Sequence, residues 1–266
     1  MINKSLIDFK NGSLLTKEML ECMYDYPINV LNCLYSNYSN GIISGFDVIE
    51  KEKLIYITKG LLKLDNSIYI MKEDFNINSL FNNLEESAIY SIVFAEEDNI
   101  TNKNGVKNLS LKIVLDSEID DNKIKFRFGK FKWNGKSTLE LPTTIDSLFK
   151  NTILNLNEVE YAQNNTSTYH PLIFRCIFNY LKNKKDKNML EYIIINEISK
   201  NNVLNIEIIK SYIEEKGFFI ESFNKEELLR KFVETIKLEK KESIQHFKEK
   251  KSIITDDDDD NDGGMI

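Results

Sequence analysis

The segment nearest to a phosphate-binding loop is Gly129-Lys130-Phe131-Lys132-Trp133-Asn134-Gly135-Lys136-Ser137. Phosphate capture needs four residues between the glycines, so that successive backbone N–H groups converge on the anion. Here five intervene, and they begin by alternating basic with aromatic, which is the period of a strand. The segment reads as a strand ending in an Asn-Gly turn. Asp258, Asp260, Asp262 and Gly263 match the first half of a calcium loop. The twelfth position, which supplies the bidentate carboxylate, falls beyond Ile266. His170 and His246 are the only histidines, and neither has a His or Cys at ligand spacing. Ser44 lies in Gly41-Ile42-Ile43-Ser44-Gly45, which is not the Gly-x-Ser-x-Gly of a nucleophile elbow. Glu85-Glu86 and Glu96-Glu97 fall at element ends, where a charged turn accounts for them better than acid–base work does. No catalytic constellation emerges. The expectation is a non-enzymatic protein without cofactor or metal.

The run Lys123 to Trp133 alternates cations with aromatics and is the best nucleic-acid candidate. Stacking platforms need aromatics exposed on the same face as the charge. Alternation separates them, so the aromatics are expected in the core and the cations in water. Net charge argues the same way. Asp256 to Asp260 with Asp262 supply −6 of the net −7, leaving −1 for residues 1–255. That body has no basic footprint, and only Arg127, Arg175 and Arg230 offer guanidinium forks. No nucleic-acid partner is expected.

Cys22, Cys33 and Cys176 form no CxxC pair. On one helix, Cys22 and Cys33 stand ~16 Å apart, too far for a disulfide. Three free thiols and an N-terminus without an apolar signal core point to synthesis in the cytoplasm. No apolar run approaches the ~20 residues of a membrane-spanning helix, and no membrane partner is expected.

Two textures organise the 266 residues, of which 42% are hydrophobic. Residues 40–163 alternate with period two and are rich in Ile, Val, Tyr and Phe. Residues 170–250 follow helical spacing. The polar run 163–168, followed by His170-Pro171, is read as the joint. The expected fold is α+β. An antiparallel β domain, sandwich or open barrel, spans 1–166 with a leading helix; a helical bundle spans 167–254; an acidic disordered tail spans 255–266. Thr16 is the expected N-cap of the leading helix, which Pro27 should kink or restart. Strands are expected over 42–49, 54–57, 61–64, 68–71, 88–95, 109–115, 124–133 and 153–161. A short helix is expected over 78–84, and longer ones over 171–181, 187–198, 206–215 and 224–248. In the last, Asn224 and Glu227 resemble a capping box.

Phe9-Lys10-Asn11-Gly12-Ser13-Leu14-Leu15-Thr16 leads into a helix. Gly41-Ile42-Ile43-Ser44-Gly45-Phe46-Asp47-Val48 follows, then Ile55 to Gly60 and a hairpin from Leu64 to Ile70. Over residues 9–75 this resembles the N-terminal anchoring region of phage-tail and contractile-injection baseplate or fibre proteins. It is also similar to the shoulder of the type VI secretion baseplate adaptor. The resemblance implies a structural component whose first domain docks onto a baseplate, with the helical part oligomerising or holding the next component. It further implies that Gly41, Gly45 and Gly60 are turn or bulge positions shaping the sheet. Partners would be other tail or baseplate proteins, and the chain would end in a virion or injection particle. A cytoplasmic bacterial adaptor or regulatory module is the alternative.

Leu228, Leu229, Phe232, Val233 and Ile236 form an amphipathic stripe at spacings of three to four. It is the candidate surface for self-association or partner binding. Closure of an intramolecular bundle is the other use of the same stripe.

Overall fold

In a computed structural model, the described residues are 12, 14–65, 67–97, 102–103, 106–107, 110–135, 139–220 and 224–238. The fold is mixed α+β. The chain begins with α1 (Lys17–Leu34), then runs through β1 (Gly41–Gly45), β2 (Val48–Lys51), β3 (Leu54–Ile57), β4 (Gly60–Leu64), β5 (Ser67–Met71) and β6 (Phe75–Asn76). After these come β7 (Ile89–Glu96), β8 (Asn102–Lys103), β9 (Val106–Lys107), β10 (Leu111–Leu115), β11 (Ile124–Lys132), β12 (Tyr161–Ala162) and β13 (Ser167–Thr168). Four helices close the described chain: α2 (Pro171–Asn183), α3 (Met189–Asn201), α4 (Ile206–Glu215) and α5 (Lys225–Lys237).

The sheets have the orders β13-β12-β1-β4-β5, β10-β7-β11 and β2-β3-β6, with β8 and β9 as a separate pair. All pairs are antiparallel except β1 with β12, which meet in parallel at Ile42 and Tyr161. The stretch 42–49 is not one strand. The β1–β4 register shifts between Ile42 and Ser44, and the chain then leaves for a different sheet at Phe46-Asp47. Two glycines permit this exit. Gly45 has φ +68°, and a Cβ there would lie 2.1 Å from the Lys59 carbonyl oxygen. Its cross-strand partner Gly60 would drive a Cβ to 2.4 Å from the Phe46 ring.

A second irregularity explains β11. Phe126 and Phe128 sit at even positions, Phe131 and Trp133 at odd ones, yet all four are buried. Strict alternation would put the two pairs on opposite faces. The β11–β7 register shifts between Arg127 and Gly129, and this bulge returns the second pair to the core. Lys125 and Arg127 are exposed, as the alternation argument required.

Other elements differ from expectation. Pro27 neither breaks nor restarts α1, which runs through it. Met23, Tyr24, Tyr26 and Ile28 around it are exposed, so water can take the Met23 carbonyl freed by the missing N–H. Residues 78–84 form only a short 3₁₀ turn, Ile77–Leu80. Residues 153–160 carry isolated bridges at Ile153 and Asn155 rather than a strand. The polar run 163–168 is the β12–β13 hairpin and its turn. Helix α5 ends at Lys237, because Leu238 turns to extended backbone, where the expected helix continued; residues 239–248 of that range and the acidic tail lie outside the described residues.

Buried hydrophobic residues from the sheets and from α2 to α5 form one cluster, running from Ile42 to Ile236. Helix α2 contributes on nearly every side, with Leu172, Ile173, Phe174, Cys176, Ile177 and Leu181 all buried.

Candidate functional site

Helix α1 stands apart from this economy. Thr16 caps it, its Oγ1 accepting the Met19 N–H at 3.3 Å. Not one of its 18 residues is buried. Leu20, Met23, Val30 and Leu34 are 39–63% exposed, and Tyr24 and Tyr26 more so on average. An internal Pro costs a helix about 3 kcal/mol, and most helical stability in proteins comes from packing an apolar face, which α1 lacks within the chain. What the structure supplies is a firm root. Lys63, in the middle of β4 and only 8% exposed, donates from Nζ to the carbonyls of Tyr35 at 2.7 Å, Ser36 at 3.2 Å and Tyr38 at 2.6 Å. These carbonyls end α1 and lead out of it, where negative partial charge gathers and an ammonium is favoured. A cleft of about 250 Å³, lined by Asn32, Tyr35, Ser36, Lys63 and Ile68, marks this junction.

The remaining buried polar groups also hold elements together. His170 caps α2: its Nδ1 accepts the Leu172 N–H at 3.1 Å. Its Nε2 lies 3.1 Å from the Phe46 carbonyl and donates to it, since Nδ1 is already the acceptor. The ring thus ties α2 to the β1–β2 corner. Burial pushes its pKa below the usual value, against the Phe46 carbonyl and the Asp47 charge.

Glu191 is 1% exposed and completes a capping box with Asn188 at the start of α3. Its carboxylate accepts from Lys184 Nζ at 2.7 Å and from the Tyr212 hydroxyl at 2.8 Å. Lys184 also donates to the Ile236 carbonyl in the last turn of α5, at 2.8 Å. Burial raises the Glu191 pKa, but these donors and the Asn188 N–H outweigh it and hold the group below its ordinary value. One ion pair thereby links four helices.

Lys225, at the start of α5, donates to the Val159 carbonyl at 3.0 Å with its ammonium 5.4 Å from the Tyr169 ring. Burial pulls its pKa down to about 8, against the Glu160 charge. Lys130 of β11 reaches Glu158 at 3.0 Å and Glu226 at 3.2 Å, fastening the sheet to α5.

The sequence-derived candidates fall as follows. Leu228, Leu229, Phe232, Val233 and Ile236 are all buried within the chain, so the stripe of α5 is spent on intramolecular packing. Ser44, Glu85, Glu86, Glu96 and Glu97 are exposed and dispersed. Cys176 is buried, which pushes its thiol up to about 11; Cys22 is half-buried and Cys33 exposed. Gly41 and Gly45 have positive φ, and Gly60 allows close approach, so the three act through the backbone. Lys136 and Ser137, His246 and the aspartates of 256–262 lie outside the described residues. Among the described residues no group of three or more His, Cys, Asp or Glu gathers at metal-binding distance, and no helix is long and apolar enough to cross a membrane.

Sequence reading missed Lys63 and the exposure of α1. A lysine inside the apolar run Leu61-Leu62-Lys63-Leu64 was the available signal for the first. No protein-family model, curated protein or solved structure matches this chain.

Proposed function

We propose that this protein is a non-enzymatic structural component of a phage tail or contractile injection baseplate. Its N-terminal β part is the docking unit, and its helical part carries the next component. The observation that carries the reading is α1, a capped and rooted helix whose apolar side chains are left in water. Exposed apolar surface on this scale belongs to contact faces. It lies within the segment 9–75 that resembles baseplate anchoring regions. The bulge between Ile42 and Ser44 and the close-approaching pair Gly45–Gly60 support the same reading, because they shape the sheet next to which α1 is rooted. So does the use of the buried His170, Glu191 and Lys63 as ties between elements.

The test is to purify tail or injection particles from producing cells and to measure their composition by mass spectrometry. The chain should copurify with sheath and tube proteins at fixed stoichiometry. A chain that stays in the soluble fraction while particles assemble without it contradicts the proposal.

A further inference from the structure

The three larger sheets have six edge strands, and five of them are closed or guarded. β11 gives its outer backbone to a neighbouring segment: the Lys130 N–H donates to the Asn155 carbonyl at 3.0 Å and the Lys132 N–H to the Asn151 carbonyl at 2.9 Å. β6 and β13 are two residues long. β2 carries Glu50 and Lys51, and β10 carries Lys112 and is partly covered along its length. Cover, short length and charge are the devices that keep an edge strand from pairing with another chain.

β5 has none of them. Ser67-Ile68-Tyr69-Ile70-Met71 holds no charge and no proline, and its register against β4 runs without a shift. Leu64 pairs with Ser67 across a turn of two residues, so Leu64–Ser67, Leu62–Tyr69 and Gly60–Met71 are the hydrogen-bonded pairs. The N–H and C=O groups of Ile68 and Ile70 therefore point away from β4, and among the described residues none hydrogen-bonds to them. Tyr69 and Met71 pack against the core, which puts the Ile68 and Ile70 side chains on the other face, with Lys63 and the root of α1. Ile70 is 58% exposed, and Ile68 lines the cleft at that root.

We infer that the protein on which this chain docks is held by strand addition: an extended segment of it pairs with β5. The inference deepens the docking reading and rests on it for the identity of the partner. The open backbone groups define what fits. Two donors and two acceptors recur along the edge at ~7 Å, the two-residue repeat of a strand, and only another extended backbone satisfies them together. A helix cannot, because its own N–H and C=O groups are already paired. The added strand turns every second side chain toward the face of Ile70, so the segment is apolar at alternate positions there. Because the edge abuts the root of α1, the same partner meets the bare helix.

The test uses the full chain. Ile70→Pro deletes an outward donor and obstructs an added strand while sparing the β4 ladder; Ile70→Val, which keeps the N–H, is the control. Near-ultraviolet circular dichroism verifies the fold of both. Ile70→Pro should be lost from purified tail or injection particles and Ile70→Val retained. In wild-type particles the Ile68 and Ile70 amides should exchange more slowly than in the free chain, a readout that needs no variant. Particles that take up a folded Ile70→Pro as they do wild type, or amides at 68 and 70 that are already slow in the free chain, overturn strand addition and leave docking through α1 standing. A wild type absent from particles overturns the docking reading instead. The edge is then decided on the isolated chain with a blocked peptide of alternating valine and threonine at millimolar concentration. Slowed exchange at Ile68 and Ile70, abolished for the edge by Ile70→Pro, supports β5 as a strand acceptor, and unchanged exchange overturns it.

Discussion

Replacing Lys63 by Met keeps most of the aliphatic stem and removes three hydrogen bonds at once. The donors serve the carbonyls of Tyr35, Ser36 and Tyr38 at 2.6–3.2 Å. A hydrogen bond to a charged group contributes about 1.5–3 kcal/mol net. Ser36 is exposed, so water replaces the ammonium there at little cost; Tyr35 and Tyr38 are half-buried and lose more. Counting two bonds at the low end gives about 3 kcal/mol, a large share of the 5–15 kcal/mol that holds a typical protein folded. Urea unfolding should show the midpoint falling accordingly with little change in slope. Amide exchange at low-micromolar concentration should localise the effect, with the last turn of α1 losing protection before β11 or α2. A midpoint within about 0.5 kcal/mol of wild type, the range of an ordinary surface change, would refute the role of Lys63 as the root of α1.

His170 makes stability pH-dependent in a defined direction. Its folded pKa lies below the ordinary 6.5, so the unfolded chain takes the proton first. The contribution is complete above pH 6.5 and is lost as pH falls from there toward the folded pKa; His170→Asn, which keeps a capping acceptor, should flatten that slope in urea midpoints measured between pH 7 and 5. Phe232→Asp puts a charge into a site with no exposure, at a cost above about 4 kcal/mol. Far-ultraviolet circular dichroism should show helix melting at lower temperature, and light scattering at low temperature should show the same mass as wild type. A fall in mass with helix content preserved would return the α5 stripe to the role of an interface.

The elements were legible where local chemistry is decisive. Thr16, the Asn224–Glu227 box and Pro171 mark helix starts, and Asp65 with its neighbours marks the β4–β5 hairpin. Positions that depend on the whole fold were not legible. The aromatics of β11 change parity at Gly129, and a periodic reading passes over the bulge that reconciles them. The 42–49 run looks continuous because its break rests on backbone angles at Gly45 and Phe46. Periodicity also says that α1 and α5 each have an apolar face without saying what covers it. Tertiary packing covers α5 and leaves α1 bare. Buried ions such as Lys63 and Glu191 look like solvated charges until the carbonyls and hydroxyls that satisfy them arrive from distant segments.

The most direct measurement of the central claim, that α1 is a contact helix, is amide hydrogen exchange across residues 17–34 in the isolated chain and in purified tail or injection particles. Docking through α1 covers its apolar side chains and suppresses its opening, so its protection should rise in the particle while α2 and β11 stay unchanged. Exchange of α1 that is the same in the free chain and in the particle would contradict the account.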